Sequence, residues 1–294
     1  MGRPNSILLS LACCVALAAS GVAQSGTRED AIALEQQGRN VAAAAIWTGI
    51  VQHDPRNVEA FAHLGLIAAR QQQYGEAITN YRKALAVDPN FPNLQMNLGL
   101  ALFKTDQFGE AIKAFTVQLE EHPGDPRLIT LLGMAHYAMG DYLVAIPYLA
   151  KATENDPHDL ALRMTLARSC LWSRQYPCVT KAAGEILTLS PGAPEAGMLF
   201  AEALAAEGKS AAAVEALRSE IGANPSEPYA HFALGYVLWA QGKYAEAAAE
   251  FQVEVEVNPP SADARAYLAA ASAGKKPILP LIQVMPNAQP PAQP

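Results

Sequence analysis

Charge, aromatic rings and cysteine are all scarce in this chain, and each shortage removes a class of function. Only 17% of the 294 residues are charged, and 21 basic groups face 28 acidic ones, a net charge of −7. A nucleic-acid binder carries a basic face, so nucleic acid is excluded as the expected partner. The six histidines are scattered. His53, His122 and His158 lie beside turn prolines. His63, His136 and His231 each lack a second histidine three or four residues away, so no H-E-x-x-H zinc motif exists. No glycine-rich phosphate loop and no G-x-S-x-G elbow occurs. The adjacent pair Glu120 and Glu121 would point to different sides of a helix, which makes a solvated surface rather than an acid/base pair. These absences predict a protein that is not an enzyme and needs no cofactor or metal. Beyond the first 23 residues, no apolar run approaches the ~18 residues of a transmembrane span.

What is present favours helix. The chain is 51% hydrophobic with only 7% aromatic residues, and it is rich in Ala, Leu, Glu and Gln. Residues 1–23 read as a secretory signal peptide: Arg3 supplies a positive start, Ile7–Ala19 a short apolar core, and Gly21-Val22-Ala23 small residues before a cut at Gln24. The alternative is a lipoprotein leader lipidated at Cys13 or Cys14, whose preceding residues fit only partly and which would halve the apolar run. Either reading predicts export, to the periplasm or beyond.

Prolines fall at 55, 89, 123, 157, 191, 225 and 259, each 34 residues after the last. That period divides the chain into units starting at Gln24, Val58, Pro92, Pro126, Leu160, Pro194 and Pro228. Within Val58–Pro89, Phe61, Leu64, Gly65 and Ala68 share one helical face, and Tyr74, Ala77, Tyr81 and Ala84 share the next. Position 8 of the units is small throughout (Ala31, Gly65, Gly99, Gly133, Ala167, Ala201, Gly235). Position 20 is Ala or Val, and position 24 is mostly large (Trp47, Tyr81, Phe115, Leu149, Ala183, Leu217, Phe251). Small residues recur where two helices cross and large ones where they pack.

This layout resembles the tetratricopeptide repeat (TPR) family, whose 34-residue unit is a helix hairpin. The resemblance spans Gln24 to Pro259 and implies an all-α, right-handed superhelical solenoid of about seven hairpins. A capping helix over 262–273 follows, carrying Tyr267, and Gly274 ends it, giving a solenoid of residues 24–273. Thr27 is expected to cap a late-starting first helix and Asp125 to cap the helix after it. Pro92, Pro126, Pro194 and Pro228 are expected to open first helices, where a missing N–H costs nothing. Unit five departs most, with Arg163, Val179 and Ala183 at signature positions. Residues 274–294 are proline-rich and read as an extended, disordered tail. Its apolar Ile278–Met285 stretch could hook a partner or lie in the protein's own groove, and an inert end is the alternative.

The resemblance also implies a mechanism of contact: a concave groove, lined by first helices through positions 2, 5, 9, 12 and 13, holding a protein or peptide segment. In this chain those positions offer Arg70 in unit two, then Met96, Leu100, Phe103 and Lys104 in unit three. Arg127, Met134 and Tyr137 follow in unit four, and Met164, Arg168, Leu171 and Trp172 in unit five. Unit six is thinner, with Met198 between Glu195 and Glu202. Unit seven brings Tyr229, Phe232, Tyr236 and Trp239. Plain packing between repeats is the competing reading of any one of them. Relatives that clamp a C-terminal carboxylate need basic groove residues across three units. Here Asn97 and Arg127 match, but Ala62, Leu66 and Leu131 do not, so that role is not expected. Outside the leader the cysteines are Cys170 and Cys178, at positions 11 and 19 of unit five. An oxidising compartment permits a bridge between them, but position 19 usually points outward, so a disulfide and two separate thiols both stand. The expected function is a non-catalytic interaction scaffold, exported, in envelope assembly or a secreted complex. An accessory subunit of an enzyme complex and a lipid-anchored assembly protein are the alternatives, and the oligomeric state is left open.

Overall fold

The computed structural model describes residues 26–190, 193, 195–226 and 229–275. The leader and the C-terminal tail lie outside them. The described residues form fifteen α-helices and no strand. They are α1 (Arg28–Gln36), α2 (Asn40–His53), α3 (Val58–Arg70), α4 (Tyr74–Val87), α5 (Leu94–Phe103), α6 (Phe108–Glu121), α7 (Pro126–Met139) and α8 (Tyr142–Asn155). The series continues with α9 (Leu160–Trp172), α10 (Tyr176–Leu189), α11 (Ala196–Ala206), α12 (Ser210–Ala223), α13 (Ala230–Ala240), α14 (Tyr244–Val257) and α15 (Ala262–Ser272). Each helix packs on the next in sequence. Some first helices also touch across units, α3 with α5, α9 with α11 and α11 with α13. The result is an all-α helical repeat solenoid of seven hairpins closed by α15.

The contact between positions 8 and 24 sets the helix crossing. A Cβ placed on Gly99 would lie 2.5 Å from the Phe115 ring, one on Gly65 2.5 Å from the Tyr81 ring, and one on Gly235 2.9 Å from the Phe251 ring. All three rings are fully buried. At these three crossings the missing side chain gives the aromatic of the second helix its space. The other units combine the two positions differently: unit six pairs Ala201 with Leu217 and unit five Ala167 with Ala183, while unit one pairs Ala31 with Trp47 and unit four Gly133 with Leu149. Unit five, with little volume at its crossing, also has a covalent link. Cys170 on α9 and Cys178 on α10 form a disulfide, with Cα atoms 5.7 Å apart. The bridge decides between the two sequence-based alternatives, because the short connection from Ser173 to Gln175 brings the facing ends of the two helices together.

First helices begin in two ways, and the prolines do not dictate which. Asn57, Asp125, Asp159 and Ser261 cap α3, α7, α9 and α15 with side-chain oxygens, accepting from Ala60, Arg127, Leu162 and Ala264 N–H. Thr27 and Asp30 form the expected capping box on α1. Pro126 opens α7 as expected, behind its capping Asp125. The expectation for Pro92 is corrected, because α5 starts two residues later, at Leu94. Pro194 and Pro228 lie outside the described residues, and the helices after them start at Ala196 and Ala230. These three helices each follow a left-handed residue: Asn93 (φ 61°), Glu195 (φ 70°) and Tyr229 (φ 71°). The repeat position that holds the capping Asn57, Asp125 and Asp159 in other units holds Phe91 and Ala193 before α5 and α11. The second helix helps instead. Buried Glu254 on α14 accepts from the Tyr229 N–H at 2.9 Å and the Phe232 N–H at 3.3 Å. Its counterpart Glu220 presses on Gly197 in the first turn of α11, and Gln118 is buried at the same repeat position. In the locally capped units two, four and five, that position holds Ala84, Ala152 and Ile186.

If the 8–24 contact governs the crossing, Gly99→Ala will lower unfolding stability by about 1–3 kcal/mol through overpacking. Gly49→Ala, whose new Cβ meets nothing within 4 Å in the interior of α2, will raise it by roughly 0.5–1 kcal/mol. Urea unfolding of the two variants measures both, and equal effects would count against the contact.

Candidate functional site on the inner face of the first helices

The structure sorts the predicted groove residues into three sets. Met96, Leu171, Met198, Phe232, Tyr236 and Trp239 are buried core. As surface anchors they are corrected. The heaviest loss is in unit seven, where the cap helix contributes Tyr267 against Phe232 at 5.2 Å, Tyr236 at 5.8 Å and Trp239 at 5.2 Å between ring centres. Trp239 Nε1 donates to the Lys275 carbonyl. Burial also pushes the Tyr236 hydroxyl up to about 12. Packing between repeats and cap explains these aromatics without a ligand.

A second set is exposed: Leu100, at 37% of its surface, with Arg70, Lys104 and Arg127. Arg70 is engaged, since its guanidinium reaches Glu35 at 3.3 Å. Glu35 also accepts from Trp47 Nε1 at 2.8 Å and meets His63 Nδ1 at 2.6 Å, with the His63 ring stacked on Trp47 at 4.5 Å. That network stitches unit one to unit two, and it gives His63 a structural role that the sequence could not show. Arg127 lies within 3.5 Å of Asp125 at its own helix start.

The third set is half-buried: Phe103, Met134, Tyr137, Met164, Arg168, Trp172 and Tyr229. Phe103 rests edge-on against Phe108 at 5.3 Å. Tyr137 on α7 stacks with Trp172 on α9 at 5.6 Å. Tyr142, a residue that the repeat positions did not single out, closes the group at 4.7 Å from Trp172. Beside them Arg168 on α9 pairs with Glu195, at the start of α11. Burial raises the Tyr137 hydroxyl above its ordinary value, opposed by the Arg168 charge. Within α11 stands Glu202, 1% exposed, with both carboxyl oxygens lacking a hydrogen-bond partner among the described residues. Burial first, and the charge of Glu195 second, raise its pKa from 4.5 to about 8. Between units four and five lies a further recess of about 330 Å³. Thr153, Glu154, Lys181 and Cys178 line it, with Arg163 pairing there with Glu185. Among the described residues no group of three or more His, Cys, Asp or Glu is placed to hold a metal ion.

The family model described as "Tetratricopeptide repeat" matches residues 29–86, 130–176 and 198–263, and the one described as "TPR repeat" matches 67–106. The chain belongs to the tetratricopeptide repeat family. No curated protein matches it. Among solved structures, YrrB, "a TPR protein with an unusual peptide-binding site", is 18% identical with a TM-score of 0.53, covering 62% of this chain and 94% of its own. The C-terminal part of a TPR repeat-containing protein from Cytophaga hutchinsonii is 15% identical with a TM-score of 0.60, covering 81% of this chain and 98% of its own. Naa15/Naa10 bound to HypK-THB gives 17% identity and a TM-score of 0.61 over 83% of this chain and 38% of that one. These likenesses show the fold. TPR proteins bind proteins or peptides, which makes the chain an interaction scaffold of a typically non-catalytic family. Among the described residues no helix is long and apolar enough to cross a membrane.

The neutral form of Glu202 fixes the sign of a pH effect. The folded state holds this proton between pH 4.5 and about 8 while the unfolded chain has released it. Stability is therefore full below pH 4.5 and falls as pH rises through about 8. Glu202→Gln removes the effect. Its stability advantage over the wild type will grow across that window by up to about 1.4 kcal/mol per pH unit, then level off. Unfolding curves at about pH 5, 7 and 9 measure it, and parallel pH profiles would contradict the buried neutral acid.

Proposed function

We propose that this TPR protein is a non-catalytic scaffold holding a peptide or protein segment on its inner face across units three to five. One observation carries the reading: Leu100, Phe103, Met134, Tyr137, Met164 and Trp172 keep apolar surface on consecutive first helices. Lys104, Arg127 and Arg168 stand among them. Exposed apolar surface that interior packing does not use marks a contact site, and Met and aromatic side chains adapt to an incoming chain. Large half-buried aromatics flanked by arginine are also the residues that dominate binding energy at interfaces. The peptide-binding site named for YrrB, and the complex formed by Naa15/Naa10 with HypK-THB, are precedents for such use of the fold.

The scaffold acts outside the cytoplasm, in envelope assembly or a secreted complex. The leader read in residues 1–23 supports this, and so does a Cys170–Cys178 bridge of the kind that persists in oxidising compartments. Service as an accessory subunit of an enzyme complex uses the same surface.

In vivo crosslinking followed by pull-down from the exported fraction tests the proposal. Phe103→Ala with Trp172→Ala will reduce recovery of the partner about tenfold or more, as expected when two central aromatic anchors are truncated. Leu143→Ala, at an exposed residue of a second helix, will leave recovery unchanged. No reproducible partner, or one indifferent to the paired substitution, would sink the inner-face reading.

A further inference from the structure

Arg163 is a departure of unit five that neither the repeat nor the inner face explains. It stands at repeat position 4, where units two and four carry Phe61 and Ile129. Its side chain is only 9% exposed. A buried ion pair seldom serves stability, since apolar side chains of similar volume in its place are often neutral or stabilising. Nη1 of the guanidinium donates to Glu185, and Nη2 donates to the Pro157 carbonyl at 2.7 Å. The Nε–H is buried and has no partner among the described residues. A buried donor left unpaired is costly, and more so on a charged group.

This arginine lines the recess of about 330 Å³ between units four and five. That volume is at the lower end of the range for small-molecule sites. Ala150, Leu166 and Ala182 supply apolar wall, and Lys181 and Glu185 line the recess from α10. Glu154 lines it too, but is held by Lys151 at 2.9 Å. The Lys181 ammonium is exposed and has no partner among the described residues. The lining groups and their partners are thus three cations, Lys151, Arg163 and Lys181, against two anions, Glu154 and Glu185. Two unused donors and one unmatched positive charge are the complement of a carboxylate. The Cys170–Cys178 bridge ties α9, which carries Arg163, to α10, which carries Lys181. Both donors stand on covalently joined elements, which lowers the ordering cost of binding.

We propose that the recess between units four and five is a second binding site, which takes a carboxylate carried on a short apolar stem. One carboxylate oxygen accepts from the Arg163 Nε–H and the other from the Lys181 ammonium, while the stem lies along Ala150, Leu166 and Ala182. Glu185 controls entry. Its side chain is 41% exposed, so it can turn outward and give up the guanidinium to the incoming anion. That anion brings the count to three charges of each sign, so no bare charge is buried. The recess shares no lining residue with the inner-face set, and the proposal goes beyond the scaffold reading.

The test is side-chain NMR on the ¹⁵N-arginine-labelled protein, titrated with sodium hexanoate. Sodium chloride at equal ionic strength, hexanol and hexylammonium chloride serve as controls. The Arg163 Nε–H resonance is the one missing from Arg163→Lys. It will shift saturably with hexanoate and with none of the controls. Lys181→Met, a change at an exposed residue, will keep the fold and bind hexanoate about tenfold more weakly, as the loss of one charge-assisted hydrogen bond requires. Two sources of such a carboxylate are separated by acetyl-Ala-Leu and its amide. Tighter binding of the acid than of hexanoate, with the amide inert, supports a site for a chain end, and the reverse order supports a site for a free small acid. An unmoved Arg163 resonance, an equal response to any control, or equal affinity of Lys181→Met overturns the proposal.

Discussion

The solenoid depends on one close approach: a glycine or alanine at position 8 of the first helix against the side chain at position 24 of the second. Because Gly99 has no Cβ, the Phe115 ring occupies the space a methyl group would need, and the crossing of α5 on α6 is fixed there. Gly65 with Tyr81 and Gly235 with Phe251 repeat the arrangement. Stacking one hairpin on the next then buries a continuous core, to which position 20 adds a fully buried Ala or Val in every unit. Unit five, where position 24 shrinks to Ala183, is the unit with the disulfide.

A second constraint runs along the start of each first helix. The exposed N–H groups there need an acceptor, and the chain supplies one of two kinds. Thr27, Asn57, Asp125, Asp159 and Ser261 cap their helices locally. Where no side chain caps, before α5, α11 and α13, the backbone passes through a left-handed residue, and Glu254 in unit seven reaches from the second helix to supply the acceptor. The choice has a consequence for the site. A left-handed start places Glu195 where it meets Arg168 across the α9–α11 boundary. Capping and the electrostatics of the inner face are linked through that residue.

The period, the hairpins, the cap helix and the crossing residues were legible in the sequence, because they rest on spacing within one unit. What escaped depends on groups brought together from different units. Glu35 gains Trp47, His63 and Arg70 from beyond its own helix. Phe232, Tyr236 and Trp239 occupy groove positions by number but are covered by Tyr267 of the cap, so position alone overstated their exposure. Glu202 could be placed on the inner face from its position, yet its burial could not, since that comes from packing against neighbouring hairpins. The signal for the left-handed starts was available in the pairing of Glu or Gln at position 27 with a missing cap, as in Gln118 behind Phe91-Pro92.

Whether the 8–24 contact sets the architecture is tested most directly by a double-mutant cycle on Gly99→Ala and Phe115→Leu, followed by urea unfolding. If the two positions share one space, the smaller side chain introduced by Phe115→Leu makes room for the new methyl group. The double variant is then more stable than the sum of the two single changes allows, with a coupling of about 1 kcal/mol or more. Effects that simply add, within roughly 0.5 kcal/mol, would contradict the shared space on which the fold is said to depend.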